Sequence, residues 1–303
     1  MEYKESQASK QLYKLNKRLI LFEKAPYLIK SPPIYIRLYG YLYLFLFLVR
    51  NYVFQANVFE KKKRHVDEYT CENKLYYNKL PKVVVYTCIT GGYDELLEPI
   101  FRNNDFDYYV VTDMNIPTDS VWKKKDINLF LPQNDLNNIE KNRYVKLHPH
   151  KIFPEYDVSV YIDGNILLVA DLMPEVLQLK EKFFGVHLHQ YRRTIRAEIN
   201  GIVKNKRKVD LGVLKQQVND YYEQGYNDEN QLLENTILIR KHNNKDCKII
   251  MEAWWNQLVK YTCRDQISLP YVLWKLGYSL KDLTILGNNL NLNPRYRRML
   301  HDK

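Results

Sequence analysis

An α/β domain with a mostly parallel, doubly wound sheet flanked by helices is the fold this sequence predicts. Three observations carry the prediction. Short apolar runs rich in β-branched and aromatic residues recur after Pro81, as the buried strands of a parallel sheet do. Stretches with helical periodicity separate several of those runs, the alternation that produces parallel strands joined by crossovers. The runs also lead into glycine-rich or acidic turns, at the strand ends where open α/β sheets bind ligands. With 303 residues, 46% hydrophobic and 14% aromatic, the chain can bury a large core.

Residues 1–80 differ in character from residues 81–303 and read as a basic, aromatic, helical appendage to the main domain. From Ile34 to Val49 only Arg37 is charged, and Lys61-Lys62-Lys63-Arg64 follows. That run is shorter than the ~20 residues a spanning helix needs, and its tyrosines favour an interface. It is expected to face an anionic membrane surface, placing the protein on the cytoplasmic face of a membrane, or else to pack on protein. The polar and basic residues ahead of it do not form a secretory signal pattern.

In the main domain, Lys82–Thr87 is the first expected strand, Phe106–Thr112 the second, Val158–Ile162 the third, Phe183–His189 the fourth and Thr236–Ile239 the fifth. Helices are expected at Pro174–Lys182, Val213–Gln224 and Asp246–Tyr261, the last burying Trp254 and Trp255 on one side, with a basic loop at Lys204–Lys208.

Lys plus Arg number 46 against 35 Asp plus Glu, a net charge of +11 that favours anionic partners such as nucleotide diphosphates or lipid headgroups. The basic residues are dispersed or confined to the appendage and no RRM, KH or zinc-finger pattern occurs, which argues against nucleic acid. Cys71, Cys88, Cys247 and Cys263 form no CxxC pair, so neither a zinc knuckle nor a dense disulfide framework is indicated, and a reducing compartment is expected.

Candidate chemistry gathers in a few turns. Asp163-Gly164-Asn165 ends the third strand, where a carboxylate and an amide oxygen can face a diphosphate or a divalent cation together, or simply form a polar turn. Thr90-Gly91-Gly92-Tyr93-Asp94 ends the first, and its glycines let a nucleotide approach the backbone closely while Tyr93 and Asp94 offer a stacking ring and an acceptor. Neither GxGxxG nor a phosphate-loop lysine motif is present, which argues against nicotinamide enzymes and phosphate-loop ATPases. His148 with His150, and His187 with His189, suggest an acceptor or phosphate site, or a metal site that with Asp163 would serve a metal-dependent hydrolase. Arg192, Arg193 and Arg196 can clamp phosphate oxygens or form a solvated basic face. Asp265-Gln266 opens a further helix, and Asp265 read alone is as well explained as an N-cap.

Five ordered stretches, VVVYTCITGGYDELLEP, FDYYVVTD, KNRYVKLHPHKIFPEYDVSVYIDGNI, LLENTILIRKH and RDQISLPYV, together resemble the glycosyltransferase-like domain found in plant mucilage and cell-wall proteins and in bacterial polysaccharide gene clusters. The resemblance spans roughly Lys82 to Gly277. It implies a GT-A-like nucleotide-sugar fold and transfer of a sugar from a nucleotide-sugar donor to a surface polysaccharide or glycolipid.

By position, the resemblance places Asp163 and Asn165 at the metal-binding DxD motif of GT-A enzymes, with Mn²⁺ or Mg²⁺ as the cofactor. Because an amide is a poorer ligand for a hard cation than a carboxylate, the metal would be held weakly or be replaced by cationic side chains such as Arg192, Arg193 and Arg196. Thr90, Gly91, Tyr93, Asp94, Asp163, Gly164, Arg192, Arg196 and Gln266 are the expected donor-binding residues, and His148, His187 and His189 the expected acceptor or phosphate residues. Asp265, in the Asp-Gln pair of retaining GT-A transferases, is the first catalytic candidate and Glu234 the second, with inversion or retention left open. A catalytically inactive nucleotide-sugar-binding protein is the remaining alternative.

Overall fold

The computed structural model describes residues 3–24, 79–132, 135–205, 209–228 and 231–300. The membrane-facing run expected at 34–49, the basic cluster at 61–64 and residues 206–208 of the expected basic loop lie outside the described residues. Among the described residues no helix is long and apolar enough to cross a membrane.

A seven-stranded sheet in the order β3-β2-β1-β4-β7-β6-β8 organises the domain. Its members are β1 (Val83–Ile89), β2 (Phe106–Thr112), β3 (Lys123–Asp126), β4 (Val158–Ile162), β6 (Phe184–Leu188), β7 (Leu233–Arg240) and β8 (Thr284–Gly287). Strands β1 to β4 pair in parallel, as expected. β7 runs antiparallel to both β4 and β6, so its first residues lie beside the carboxyl end of β4. All seven residues of β1 are buried. Val83 and Val85 join the core on one face, Val84, Tyr86 and Cys88 the core on the other, which is why the strand reads as a continuous apolar run.

β2 and β4 have the bounds their sequence suggests. The helix expected at Pro174–Lys182 is confined to Met173–Leu177, and Lys180 adopts a positive φ of 46° soon after it. The two later helices fall within a residue or two of expectation, at Leu211–Glu223 and Lys245–Lys260. On the second of these Trp254 is fully buried, and its indole N–H donates to Ser268 Oγ at 3.0 Å.

Helix α1 (Gln7–Lys24) lies within the expected appendage, and its first turns pack on the main domain. A second, two-stranded sheet pairs β5 (Ile166–Leu168) with β9 (Tyr296–Arg298), and α1 is pinned beside it. Asn16 Nδ2 donates to the carbonyls of Pro294 and Tyr296 at 2.9 and 3.2 Å. Arg295 meets Glu5 through two hydrogen bonds at 2.8 and 3.3 Å, both side chains almost wholly buried. Ser9 Oγ accepts from the Asp171 N–H at 2.8 Å.

Helix α2 (Asn138–Leu147) lies against β1 and carries several side chains to the sheet's carboxyl edge. Its start is fixed by a capping box: Asn137 Oδ1 accepts from the Ile139 and Glu140 N–H groups, and Glu140 accepts from the Asn137 N–H at 2.8 Å. Asn137→Ala is expected to cost about 1 kcal/mol, the usual worth of such a cap. Chemical denaturation checks this, and an unchanged midpoint would mean that tertiary packing alone fixes the helix start.

Candidate active site

The first and third candidate turns meet because β1 and β4 are parallel neighbours. Gly91 and Gly92 adopt φ of 59° and 60°, and a side chain on Gly91 would collide with Asn138 Nδ2 at 2.3 Å. The positive φ favours glycine at both positions. Thr90 Oγ1 donates to the Asn138 carbonyl at 3.0 Å, and the Gly91 N–H donates to Asp113 Oδ1 at 3.2 Å. Tyr93 is exposed. Gly164 makes room for Asp94, whose Oδ2 lies 3.0 Å from where a β-carbon would stand. Asp94 thus sits against the Asp163-Gly164-Asn165 turn.

Asp163 does not stand alone. Lys146 Nζ, with only 1% of its side chain exposed, lies 3.5 Å from Asp163 Oδ1 and 2.7 Å from Asp265 Oδ2. Arg143, one helical turn earlier on α2, approaches Asp265 Oδ2 at 3.9 Å. Burial by itself would raise the Asp265 carboxyl, but Arg143, Lys146 and Arg264 outweigh it and hold its pKa at about 2. Asp265 is the first residue of α3 (Asp265–Lys275), with Arg264 before it as the N-cap residue, so the N-cap reading does not describe it. Tyr161 is buried beneath this group with its ring 5.0 Å from Lys146 Nζ, and burial together with Asp163 pushes its hydroxyl pKa well up.

Lys146 is itself held from behind. The buried Arg240 donates to the Lys146 carbonyl at 2.8 Å and to Tyr86 Oη at 2.6 Å, and Tyr86 Oη donates to the same carbonyl at 2.9 Å. These bonds satisfy the carboxyl-terminal end of α2, where an intrahelical partner is lacking, and fix the point from which Lys146 projects.

Glu234 forms the second half of the site. β7 enters the sheet antiparallel, so Glu234 and Thr236 reach the edge that Asp163 occupies, and the Asp163 N–H donates to the Thr236 carbonyl at 2.9 Å. Thr236 Oγ1 donates to Glu234 Oε1 at 2.5 Å and Gln266 Nε2 donates to it at 3.4 Å. Arg298, arriving on β9, places Nη2 at 3.2 Å from Glu234 Oε1 and 2.9 Å from Thr236 Oγ1. Asp163, Asp265, Glu234 and Gln266 are therefore linked through shared partners.

The remaining candidates lie elsewhere or have other work. His148 and His150 contact Glu252 at 3.5 and 3.0 Å, and His148 stacks on Tyr144. His187 pairs with Asn293 Nδ2 at 3.1 Å, while His189 Nδ1 accepts from the Tyr191 and Arg192 N–H groups at 3.2 and 3.0 Å. No hydrogen bond or ion pair among the described residues joins the two histidine sets, so the four do not form one cluster with Asp163. β6 ends at Leu188 and carries a bulge between Val186 and His187, which separates the environments of His187 and His189. Burial lowers the pKa of His148 to about 4 and, with Arg298 adding to it, that of His187 to about 3, so both are neutral at pH 7. Arg192 is engaged by the buried Glu198 and lies over Gly201, and the backbone N–H of Arg196 is held by Asp228.

The expected cation pair also has other partners. Asn165 Nδ2 donates to the Met299 carbonyl at 3.1 Å, and the Asn165 carbonyl accepts from the Met299 N–H at 2.8 Å. Asp163 already faces an ammonium group. Among the described residues no three or more His, Cys, Asp or Glu side chains are grouped to hold a metal ion. This donor set fits Mn²⁺ or Mg²⁺ poorly.

Sequence reasoning missed Arg143, Lys146, Asp113 and Arg298. A signal for the first two exists, since a lysine in the apolar end of α2, one turn after an arginine, is a buried cation in search of a carboxylate. Asp113 directly follows β2, at the same sheet edge as the first glycine turn. Arg298 has no local signal, because only the return of the chain as β9 brings it near.

An α/β domain whose acidic and glycine turns converge at the carboxyl edge of its sheet belongs to the class of ligand-binding open-sheet proteins. The family of this chain is the TOD1/MUCI70, glycosyltransferase-like domain family, whose model matches residues 120–293, more than half of the 303. A curated relative, "Probable hexosyltransferase MUCI70" of Arabidopsis thaliana, is 29% identical over 146 residues, covering 44% of this chain and 24% of the relative. The chain thus spans about a quarter of that protein's length. Among solved structures, the apo form of the bifunctional glycosyltransferase WbbM aligns with a TM-score of 0.44 and 15% identity over 70% of this chain and 40% of that one. An active-site mutant of LgtC aligns with a TM-score of 0.41 and 13% identity over 67% and 72%.

Proposed function

We propose that this protein is a glycosyltransferase that takes a sugar from a nucleotide-sugar donor and passes it to a surface polysaccharide or glycolipid. The observation that carries the reading, beside family membership, is the placing of Asp265 at a helix start beside Lys146 and Asp163, at the edge where the glycine turn opens. A carboxylate kept ionised by two cations suits a site in which positive charge develops at the anomeric carbon as the diphosphate departs. Thr90, Gly91, Tyr93 and Asp94 would receive the nucleotide, with Asp163 and Gly164 beneath it. Asp265 would stabilise the cationic sugar and Gln266 orient it. Glu234, in hydrogen-bond contact with Gln266 and Thr236, would accept the proton of an incoming hydroxyl.

A screen of purified protein against a panel of nucleotide sugars, read by thermal shift and by slow sugar release, tests this. Stabilisation by one nucleoside diphosphate class with release of its sugar, both lost in Asp163→Ala, is the expected result. Binding without turnover toward any acceptor would point instead to a non-catalytic nucleotide-sugar-binding protein, and no response to any nucleotide would remove the proposal.

A further inference from the structure

We infer that Arg298, and not a divalent cation, meets the diphosphate of the donor at the Asp163 turn. The inference rests on the nucleotide-sugar reading above and concerns how the same site holds its ligand. A divalent cation placed between a protein and a diphosphate needs anionic oxygens from the protein to balance it. Here each of Asp163, Asp265 and Glu234 is already met by a cation: Asp163 and Asp265 by Lys146, Asp265 also by Arg143, and Glu234 by Arg298. The most buried of these groups is the ammonium of Lys146, 3.5 Å from Asp163 and 2.7 Å from Asp265. A dication added beside that ammonium would meet repulsion at short range and find Asn165 tied to the Met299 backbone.

Arg298 has the opposite properties. Its side chain is 35% exposed, and it uses only Nη2, toward Glu234 and Thr236, leaving Nε and Nη1 without hydrogen bonds among the described residues. β9 pairs Arg298 with Ile166, three residues past Asp163, and its guanidinium reaches Thr236, whose carbonyl accepts from the Asp163 N–H. A planar fork with unused donors beside an open turn is the side chain best suited to clasp phosphate oxygens in two places. An incoming diphosphate, with more negative charge than one carboxylate, draws Arg298 away from Glu234. Glu234 keeps its bonds to Thr236 and Gln266 and loses its ion pair.

Titration calorimetry of the full chain with UDP, GDP and ADP, each in EDTA and in Mn²⁺, tests the inference. The nucleotide that binds is expected to do so in EDTA within about threefold of its affinity in Mn²⁺, and Arg298→Gln is expected to weaken it at least tenfold while leaving the melting temperature of the free protein unchanged. Arg298→Lys, which keeps the charge and loses the fork, is expected to fall between the two. Binding by the unaltered protein that requires Mn²⁺ and is indifferent to Arg298→Gln would overturn the inference while leaving the nucleotide-sugar reading in place. Failure of all three nucleotides in both conditions removes that reading and the inference with it.

Discussion

Asp265→Asn is expected to lower sugar release and transfer by roughly 10²–10⁴-fold, the range that positioned acid–base and electrostatic groups contribute. The substitution preserves shape and removes charge, and the loss should fall on turnover more than on donor affinity, because the carboxylate acts on charge that develops only as the bond breaks. Initial rates with the donor found by screening, at saturating and limiting concentration, separate the two. Rates within twofold of the unaltered protein would remove Asp265 from the reacting centre. The same residue gives a pH signature. Its folded pKa of about 2 lies below the ordinary 3.8, so the ion pair contributes stability that is fully present above about pH 4. That contribution, about 2 kcal/mol, is lost as the pH falls through about 2, and Asp265→Asn should abolish this part of the acid transition. Lys146 then keeps only Asp163 as a carboxylate partner.

Glu5→Ala is the second large effect. The carboxylate lies in a buried pair with Arg295, and removing it leaves a guanidinium sealed from water whose remaining hydrogen-bond acceptor among the described residues is the Asp171 carbonyl. A loss of about 3–5 kcal/mol is expected from breaking such a pair. At roughly 2–4 °C per kcal/mol for a domain of this size, the melting temperature should fall by on the order of 10 °C. Replacing both residues by Met should recover most of the loss, since the pair stabilises chiefly by neutralising itself. A single variant that melts as the unaltered protein does would show that residues 3–20 are dispensable to the domain.

Much of the sheet was legible because buried parallel strands carry their signal locally, as Val158–Ile162 does. Strand direction is another matter. The apolar run of β7 reads the same in either direction, so its antiparallel entry, which alone puts Glu234 next to Asp163, has no mark in the sequence. The acidic and glycine turns were legible through the rule that open sheets bind ligands at strand ends. Arg298 was not, because it lies on a strand distant in sequence from Glu234, whereas Lys146 carries the local mark of a lysine in the apolar end of its helix. The histidines show the reverse error. Proximity in sequence suggested one site, but β6 and the helices beside Glu252 carry the two pairs to separate neighbours.

The contact of Glu5 with Arg295 spans 290 positions, and that of Asn16 with Tyr296 spans 280. During synthesis, helix α1 emerges well before its partners at and beside β9, so its contacts with Pro294, Arg295 and Tyr296 form only after the whole sheet has been translated, at about 5–20 residues per second. Closure of the domain is consequently a late event with a large loop to close, which slows folding and makes the unfinished chain a substrate for chaperones.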